Sequence, residues 1–238
     1  QNNRVMKIHI PSSSREIPQA LMQQLGTQNE TEQVATFFKH LKITKERFSE
    51  EDALAVLLTF YAYIGNEDIG EPPAKITYNG TDYFAPDDLL DIPLKFLIEL
   101  VNVDVNFDTN EFLYAITALI YRKDWEKPFS KKEYLEMQPI FYDAPFIFSL
   151  WSTKLFNQII LTLQENYPIL YKGEQGAEES DGRKLYGLLK ILANDDATKM
   201  EKAEQMPIWR AFTWIEQSKI NEINEKNANV NQANNRKH

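Results

Sequence analysis

The segment Lys75-Ile76-Thr77-Tyr78-Asn79-Gly80-Thr81-Asp82-Tyr83-Phe84 carries the strongest structural signal in this chain. Two runs rich in β-branched and aromatic residues flank Asn79-Gly80, and Asn-Gly is the dipeptide that most readily adopts the positive φ angles of a type I′ turn. The segment therefore predicts a β-hairpin. Since an isolated hairpin is marginally stable in water, it needs a third strand or a helix to pack against.

The sequence on either side of the hairpin has a mostly helical pattern. Residues 5–10 alternate apolar and polar side chains and predict a short strand that would complete a three-stranded sheet. Apolar periodicity, capping residues and proline or glycine stops predict the helices. These cover residues 19–26, 32–42, 44–48, 50–64, 87–102, 112–121, 131–137, 142–167, 184–194 and 207–224. We therefore predict a mainly α fold, with a helical bundle-like body and a small β-hairpin or three-stranded antiparallel sheet.

Two of the predicted helices are unusually apolar. In the helix over residues 50–64, five side chains keep a helical spacing and are predicted to form one face: Leu54, Leu57, Leu58, Tyr61 and Ile64. The segment 142–167 is apolar on nearly all sides. Such a helix is either the central core helix or part of a subunit contact.

The composition changes at residues 172–183, which are rich in glycine and acidic residues. This segment is the best candidate for a boundary. We predict a helical domain with a small β element over residues 1–171, an acidic Gly-rich loop over 172–183, C-terminal helices over 184–226 and a polar tail over 227–238. The sequence shows no evident internal repeat.

The overall composition excludes several classes of protein. Hydrophobic residues make up 43% of the 238-residue chain, which is enough for a folded core. The net charge of −9 and the lack of a basic cluster disfavour nucleic acid as a partner. Cysteine is absent, which excludes disulfides and thiolate chemistry and fits a reducing compartment. The longest apolar run, near residues 144–151, is too short to span a bilayer, and no signal peptide is predicted.

The candidates for catalysis are few. Asp87, Asp88 and Asp91 cluster beside the hairpin, and paired carboxylates can act as acid and base if burial separates their pKa values. Acidic residues are also expected at the start of a helix, and we favour that interpretation. His9, His40 and His238 are too scattered to form a metal site. We therefore predict no catalytic, cofactor-binding or metal-binding residues, no cofactor, and a protein that is not an enzyme.

The aromatic residues of the second half of the chain suggest a different function. Trp209 and Trp214 are five residues apart on one predicted helix, so they cannot both share the face that holds Phe212. Tryptophan is enriched at the energetic centres of protein interfaces. We predict that the helix over 207–224 and the region 144–163 form contact surfaces. The predicted interface residues are Trp209, Phe212, Trp214, Phe146 and Trp151.

Residues 76–125 resemble a family of proteins from tailed phages, particularly those that infect Bacteroidota. The resemblance is carried by three sequence motifs and by a later apolar helix over residues 144–163. The motifs are Ile8-His9-Ile10-Pro11, Tyr78-Asn79-Gly80-Thr81-Asp82-Tyr83-Phe84-Ala85-Pro86-Asp87 and Ala118-Leu119-Ile120-Tyr121-Arg122. They are structural rather than chemical motifs.

This resemblance implies a role in phage morphogenesis. The protein would be a virion component near the neck or tail, or a cytosolic chaperone for tail assembly. Its partners would be other phage structural proteins or further copies of itself, and its location the virion or the host cytoplasm. Two alternatives remain open: a cytosolic bacterial adaptor or regulatory module, and an Asp-dependent hydrolase or transferase.

Overall fold

The computed structural model describes residues 9–44, 48–105, 112–171, 192 and 196–235. Within these residues the protein is mainly α, with one small antiparallel sheet of two strands. The predicted mainly α fold class with a small β-hairpin is confirmed. The elements are α1 (Gln19–Thr27), α2 (Glu30–His40), α3 (Glu50–Gly65), β1 (Lys75–Tyr78), β2 (Thr81–Phe84), α4 (Leu94–Val105), α5 (Phe112–Ile120), α6 (Lys131–Met137), α7 (Ile147–Asn166), α8 (Pro168–Tyr171), α9 (Ala197–Glu204) and α10 (Ile208–Asn235).

The chain divides into two compact units that are not continuous in sequence. The first unit draws on Gln1–Ala85, Asn106–Asp124 and Ser130–Leu155. The second unit draws on Pro86–Val105, Trp125–Phe129 and Phe156–His238. The hairpin and α1 to α3 belong to the first unit, and α4 and α10 belong to the second.

The hairpin forms as the sequence predicts. Asn79 and Gly80 have φ angles of 49° and 73°, the positive values that a type I′ turn requires. Ile76 pairs with Tyr83 across the two strands, and both side chains are buried. The Tyr83 ring packs against Phe141, with ring centroids 4.9 Å apart. A helical element of the first unit thus supports one side of the hairpin.

The hairpin is also joined to the end of α5 through Arg122. Phe84 and Arg122 exchange two backbone hydrogen bonds, of 2.7 and 2.9 Å, in an isolated antiparallel bridge. Only 4% of Arg122 is exposed to solvent. Burial lowers the pKa of Arg122, and the negative charges of Glu133 and Asp124 oppose that effect. The backbone of Arg122 therefore joins the hairpin to the segment that follows α5, and the Arg122 side chain is buried there.

The hydrophobic core of the first unit lies between α1, α2 and α3. The α3 side chains in this core are Ala53, Leu57 and Phe60, and the ring centroid of Phe60 lies 4.4 Å from that of Phe37 on α2. The predicted face of this helix was partly wrong, because Leu58 is 56% exposed. The other predicted members, Leu54, Tyr61 and Ile64, lie at the edge of the core. α3 is therefore apolar on its outer side as well.

Two helices of the first unit begin at a shared junction. Pro18, just before α1, and Pro145, just before α7, form an isolated antiparallel bridge. Since proline has no N–H group, the neighbouring residues make the hydrogen bonds. These run from the N–H of Gln19 to the carbonyl of Ala144 (2.8 Å), from Phe146 to Ile17 (2.6 Å) and from Ala20 to Tyr142 (3.0 Å). The first N–H groups of α1 are thus satisfied without a capping side chain.

The second unit contains the same junction. Pro93, just before α4, pairs with Pro207, just before α10. Its three hydrogen bonds correspond, in the same order, to those of the first junction. They run from the N–H of Ile208 to the carbonyl of Ile92 (2.9 Å), from Leu94 to Met206 (2.8 Å) and from Trp209 to Leu90 (3.1 Å). The sequences also match, since Tyr142-Asp143-Ala144-Pro145-Phe146-Ile147-Phe148 and Leu90-Asp91-Ile92-Pro93-Leu94-Lys95-Phe96 share apolar-Asp-apolar-Pro-apolar-x-Phe. This paired-proline junction is an internal repeat that the sequence interpretation missed.

The ends of several helices differ from prediction. The helix predicted from residue 142 begins at Ile147, because Pro145 lies in the junction with Pro18. The helix predicted from residue 87 begins only at Leu94, because the chain enters the junction at Pro93 first. The last helix continues to Asn235, beyond the predicted end at 224, since neither glycine nor proline follows Pro207 to stop it. Several predictions lie wholly or largely outside the described residues: the strand at 5–10, the helix at 44–48, the loop at 172–183 and the helix at 184–194.

The irregular segment after α3 is held by hydrogen bonds from two other parts of the first unit. The Glu67 carboxylate accepts bonds from the Ser13 hydroxyl (2.8 Å) and the Ser14 N–H (2.6 Å). Farther along, the Trp151 indole N–H donates to the Ile69 carbonyl (2.8 Å), and Lys154 pairs with Glu71 (2.8 Å). Residues 67–71 are therefore anchored although they form no helix or strand.

Glu67 makes the stability of the first unit dependent on pH. Burial raises the pKa of Glu67, but the bonds from Ser14 and Ser13 and the charge of Arg15 outweigh it and lower the pKa below its ordinary value of 4.5. This stabilisation is complete above the unfolded-state pKa and is lost as the pH falls through the lower folded-state pKa. We expect Glu67→Gln to reduce the free energy of unfolding by about 1 kcal/mol at pH 7, allowing for solvent screening.

Urea titrations of the wild type and Glu67→Gln between pH 7 and pH 3 would measure this effect. The two stability curves should converge below pH 4.5, where the carboxylate becomes protonated. Glu71→Gln is the matched control, because its side chain is 80% exposed, and it should change the stability little. A difference between wild type and Glu67→Gln that stays constant down to pH 3 would contradict the assignment.

Candidate protein-interaction surface

α10 buries one side and exposes two large aromatic residues on the other. Its buried side chains are Ile208, Ala211, Phe212 and Ile215. The Phe212 ring packs on Tyr167, with ring centroids 5.5 Å apart. On the other side, Trp209 is 45% exposed and Trp214 is 50% exposed. Proteins normally bury rings of this size, so their exposure marks a candidate contact surface.

Trp209 is fixed in position by the junction beneath it. Its indole N–H donates to the Asp91 carboxylate at 3.1 Å, and its backbone N–H donates to Leu90. Its carbonyl accepts a hydrogen bond of 2.9 Å from the Tyr167 hydroxyl. The exposed ring is therefore held in one orientation before any partner binds. Such preorganisation lowers the entropic cost of forming an interface.

The two tryptophans lie on either side of an exposed strip. Residues five positions apart on an α-helix are separated by roughly 140° around the axis. Between them lie the exposed residues Arg210, Thr213 and Gln217. We call the surface formed by Trp209, Arg210, Thr213, Trp214 and Gln217 the tryptophan face. It combines two exposed indole rings with a polar strip that includes Arg210, and the Asp91 carboxylate lies beside Trp209.

The repeated junction shows what covers the equivalent surface in the first unit. When Pro207 is matched with Pro18, Trp214 corresponds to Leu25, and Arg210 corresponds to Leu21. Leu21 and Leu25 are buried in the core that α1 forms with α2 and α3. On α10 the same positions are open to solvent. Two positions of the tryptophan face, Arg210 and Trp214, thus correspond to positions that are buried in the first unit.

The other three predicted interface residues lie elsewhere. Phe146 is part of the buried core of the first unit, and Phe212 is buried beneath the tryptophan face. Trp151 is half-buried, where its ring packs against Phe148 and lies under the Arg15 guanidinium, 5.9 Å from the ring centroid. The structure thus brings only Trp209 and Trp214 to an exposed surface of the same helix.

The three aspartates near the hairpin form a turn rather than a helix start. Asp87, Asp88 and Asp91 all precede α4 and are exposed. The Asp88 carboxylate accepts a hydrogen bond of 2.8 Å from the Leu90 N–H, and Asp91 holds Trp209. The expectation that they open a helix was wrong, because α4 begins at the proline junction. Among the described residues, no group of acidic or histidine side chains is arranged to hold a metal ion.

Comparisons with known proteins do not identify a relative. Neither the family models, nor the curated proteins, nor the solved structures contain a match to this chain. Separately, none of the described helices is long and apolar enough to cross a membrane. The geometry of the tryptophan face is therefore the basis for a functional proposal.

The bond between Asp91 and Trp209 was not predicted from the sequence. The sequence signal that could have revealed it is the apolar-Asp-apolar-Pro motif, which occurs at residues 90–93 and 142–145. In the structure each motif pairs with a dipeptide that ends in proline, Met206-Pro207 or Ile17-Pro18. Pairing these steps requires knowledge of contacts between residues more than a hundred positions apart. Neither periodicity nor capping patterns contain that information.

Proposed function

We propose that the protein is a non-enzymatic assembly protein that acts through protein–protein contacts made by the tryptophan face. Together with the resemblance of residues 76–125 to a phage family, this supports a role as a phage structural or assembly protein. It would act as a component of the virion neck or tail, or as a tail-assembly chaperone. The observation that carries the proposal is the pair of exposed tryptophans on α10, one of which is fixed by Asp91.

The chemistry of this surface favours binding. Indole rings give a large apolar contact area at low conformational cost, and they dominate the binding energy of many interfaces. Arg210 lies between the two rings and can pair with an acidic group of a partner. A ring that is already oriented by Asp91 keeps more of its contact energy on binding.

The environment of the aspartates argues against an Asp-dependent enzyme. Acid–base catalysis by paired carboxylates depends on burial that moves their pKa values apart. Asp87, Asp88 and Asp91 are exposed instead. Asp88 and Asp91 already accept hydrogen bonds from Leu90 and Trp209. A cytosolic adaptor could use the same tryptophan face, so the identity of the partner separates that alternative from phage assembly.

Substitution of the two tryptophans tests the proposal. We expect Trp209→Ala and Trp214→Ala each to weaken binding of the partner about thirtyfold, the loss typical of an interface hot spot. The tagged full-length protein would be purified from cells, and the co-purifying chains quantified by mass spectrometry. Purified phage particles would be measured in the same way for the presence of the protein.

Leu135→Ala is the matched control, because Leu135 is 52% exposed but lies on α6 in the first unit. Circular dichroism must show that the variants keep their helical content. Partner binding that survives both tryptophan substitutions would refute the proposed surface. Absence of the protein from particles, together with partners that are not phage proteins, would favour the adaptor alternative.

A further inference from the structure

The tip of the hairpin carries a chemically reactive pair of residues. Asn79-Gly80 is the only place in the sequence where glycine follows asparagine. In such a pair the backbone nitrogen of the glycine can attack the side-chain amide carbon of the asparagine, because glycine has no side chain to obstruct the approach. Both residues are exposed, and no described atom outside the neighbouring residues lies within 4 Å of the position that a Cβ of Gly80 would occupy. The reaction is therefore sterically open here.

Neither reacting group is held by a hydrogen bond. Within the described part of the chain, the Asn79 side-chain amide and the Gly80 N–H have no hydrogen-bond partner. Other asparagines are occupied: the side chain of Asn29 caps α2, and those of Asn66 and Asn166 donate to backbone carbonyls one turn earlier, at 2.7 and 2.8 Å. A residue with a side chain follows each of these three. Asn79 differs from them in both respects.

The hairpin has to open only at its tip for the two groups to react. Ring closure moves the Gly80 nitrogen onto the Asn79 Cγ, so the turn must open for a moment. The strands are joined by four residue pairs, and the pair nearest the turn is Tyr78 with Thr81. Local opening of this kind breaks few contacts and costs little free energy. The buried Ile76 lies farther from the turn and can stay packed while the tip opens.

We propose that Asn79 is a site of spontaneous deamidation. The Gly80 nitrogen forms a bond to the Asn79 Cγ, the C–N bond of the side-chain amide breaks, and the amide nitrogen leaves as ammonia with the proton that Gly80 gives up. Water then opens the cyclic imide. Cleavage of the new N–Cγ bond leaves aspartate, and cleavage at the original backbone carbonyl leaves isoaspartate. Water is the only co-reactant, and the inference does not depend on the proposed assembly function.

The two products have different effects on the hairpin. Asp-Gly is also favoured in type I′ turns, so aspartate at position 79 keeps the turn. Isoaspartate lengthens the main chain by one methylene group. A two-residue turn fixes the register of its strands, so the longer chain loosens the pair of Tyr78 and Thr81. The hairpin therefore becomes less stable as isoaspartate accumulates.

Incubation of the full-length protein, followed by peptide mapping with mass spectrometry, tests the proposal. The peptide that holds Asn79 should gain the mass difference between an amide and a carboxylic acid, in two products that chromatography separates. The rate should rise about tenfold between pH 7 and pH 8, because the attacking nitrogen must lose its proton to hydroxide. Asn66 and Asn166 are the matched controls in the same samples, and they should stay unmodified.

Two variants separate the modification from its structural effect. Asn79→Gly removes the reacting amide and keeps a dipeptide that type I′ turns favour, so its thermal unfolding should not change during the incubation. Asn79→Asp reproduces the aspartate product and should unfold like the fresh wild type. The incubated wild type should lose thermal stability in proportion to its isoaspartate content.

Three results would overturn the inference. The first is an Asn79 that stays unmodified throughout the incubation at pH 8. The second is conversion of Asn66 or Asn166 as fast as that of Asn79. The third is an incubated wild type that contains isoaspartate at this position but unfolds like the fresh protein, which would refute the effect on the hairpin.

Discussion

Replacement of Phe60 by alanine should lower the free energy of unfolding by about 4 kcal/mol, as is typical of a phenylalanine deleted from a packed core. Phe60 is fully buried on α3. Its ring lies 4.4 Å from Phe37 and 5.4 Å from Tyr61 between centroids. The backbone around it is helical, so it cannot move in to fill the cavity. The cost therefore includes both lost contacts and an unfilled volume.

Urea titration followed by circular dichroism would measure this loss. Since the chain has two units, the transition should be fitted for each unit separately if two steps appear. Leu135→Ala is the matched control in the same unit, and it should stay within about 0.5 kcal/mol of the wild type. A Phe60→Ala variant as stable as Leu135→Ala would mean that α3 is not packed as described.

Replacement of Arg122 by alanine should cost about 3 kcal/mol, because it removes a large side chain from a buried position and takes a positive charge away from Glu133 and Asp124. Arg122 is 96% buried, given its exposure of 4%. Glu133 and Asp124 act on it electrostatically and would lose their positive neighbour. Its backbone bridge to Phe84 does not depend on the side chain, so the hairpin should remain paired.

A second substitution separates charge from volume at this position. Arg122→Met fills much of the space without the charge, and it should recover part of the stability that Arg122→Ala loses. Thermal unfolding of both variants, compared with the wild type, would measure the two contributions. Equal stabilities of the alanine and methionine variants would show that only the charge matters. An alanine variant as stable as the wild type would contradict the structural role of Arg122.

Features that depend on neighbouring residues were predictable from the sequence. The turn at Asn79-Gly80 needs only two residues with positive φ, and the structure has them. Ser130 caps α6 by accepting a hydrogen bond from the Glu133 N–H, as its spacing predicts. The spacing of five residues predicts that Trp209 and Trp214 cannot both pack on the face that holds Phe212, and in the structure both are exposed.

Features that depend on distant residues were not predictable in the same way. Asp91 was expected to help open a helix, but its carboxylate holds an indole that is far away in the sequence. Leu58 fits the apolar periodicity of α3, yet the core takes Phe60 and Ala53 instead. On a helix that is apolar nearly all round, periodicity does not indicate which side faces the core. The same property leaves the exposed side of α3 apolar, with Leu58 and Tyr63 in contact with solvent.

The paired-proline junctions have a consequence for the order of folding. One joins Pro18 to Pro145 and the other joins Pro93 to Pro207, so the two pairings overlap along the chain. During synthesis the first junction must wait until residue 145 has left the ribosome, and by then the first half of the second junction is already exposed and unpaired. Such long sequence separations slow folding. A cut anywhere between residues 93 and 145 would place the two partners of each junction on separate fragments. Neither unit can therefore be expressed as one continuous segment of the chain.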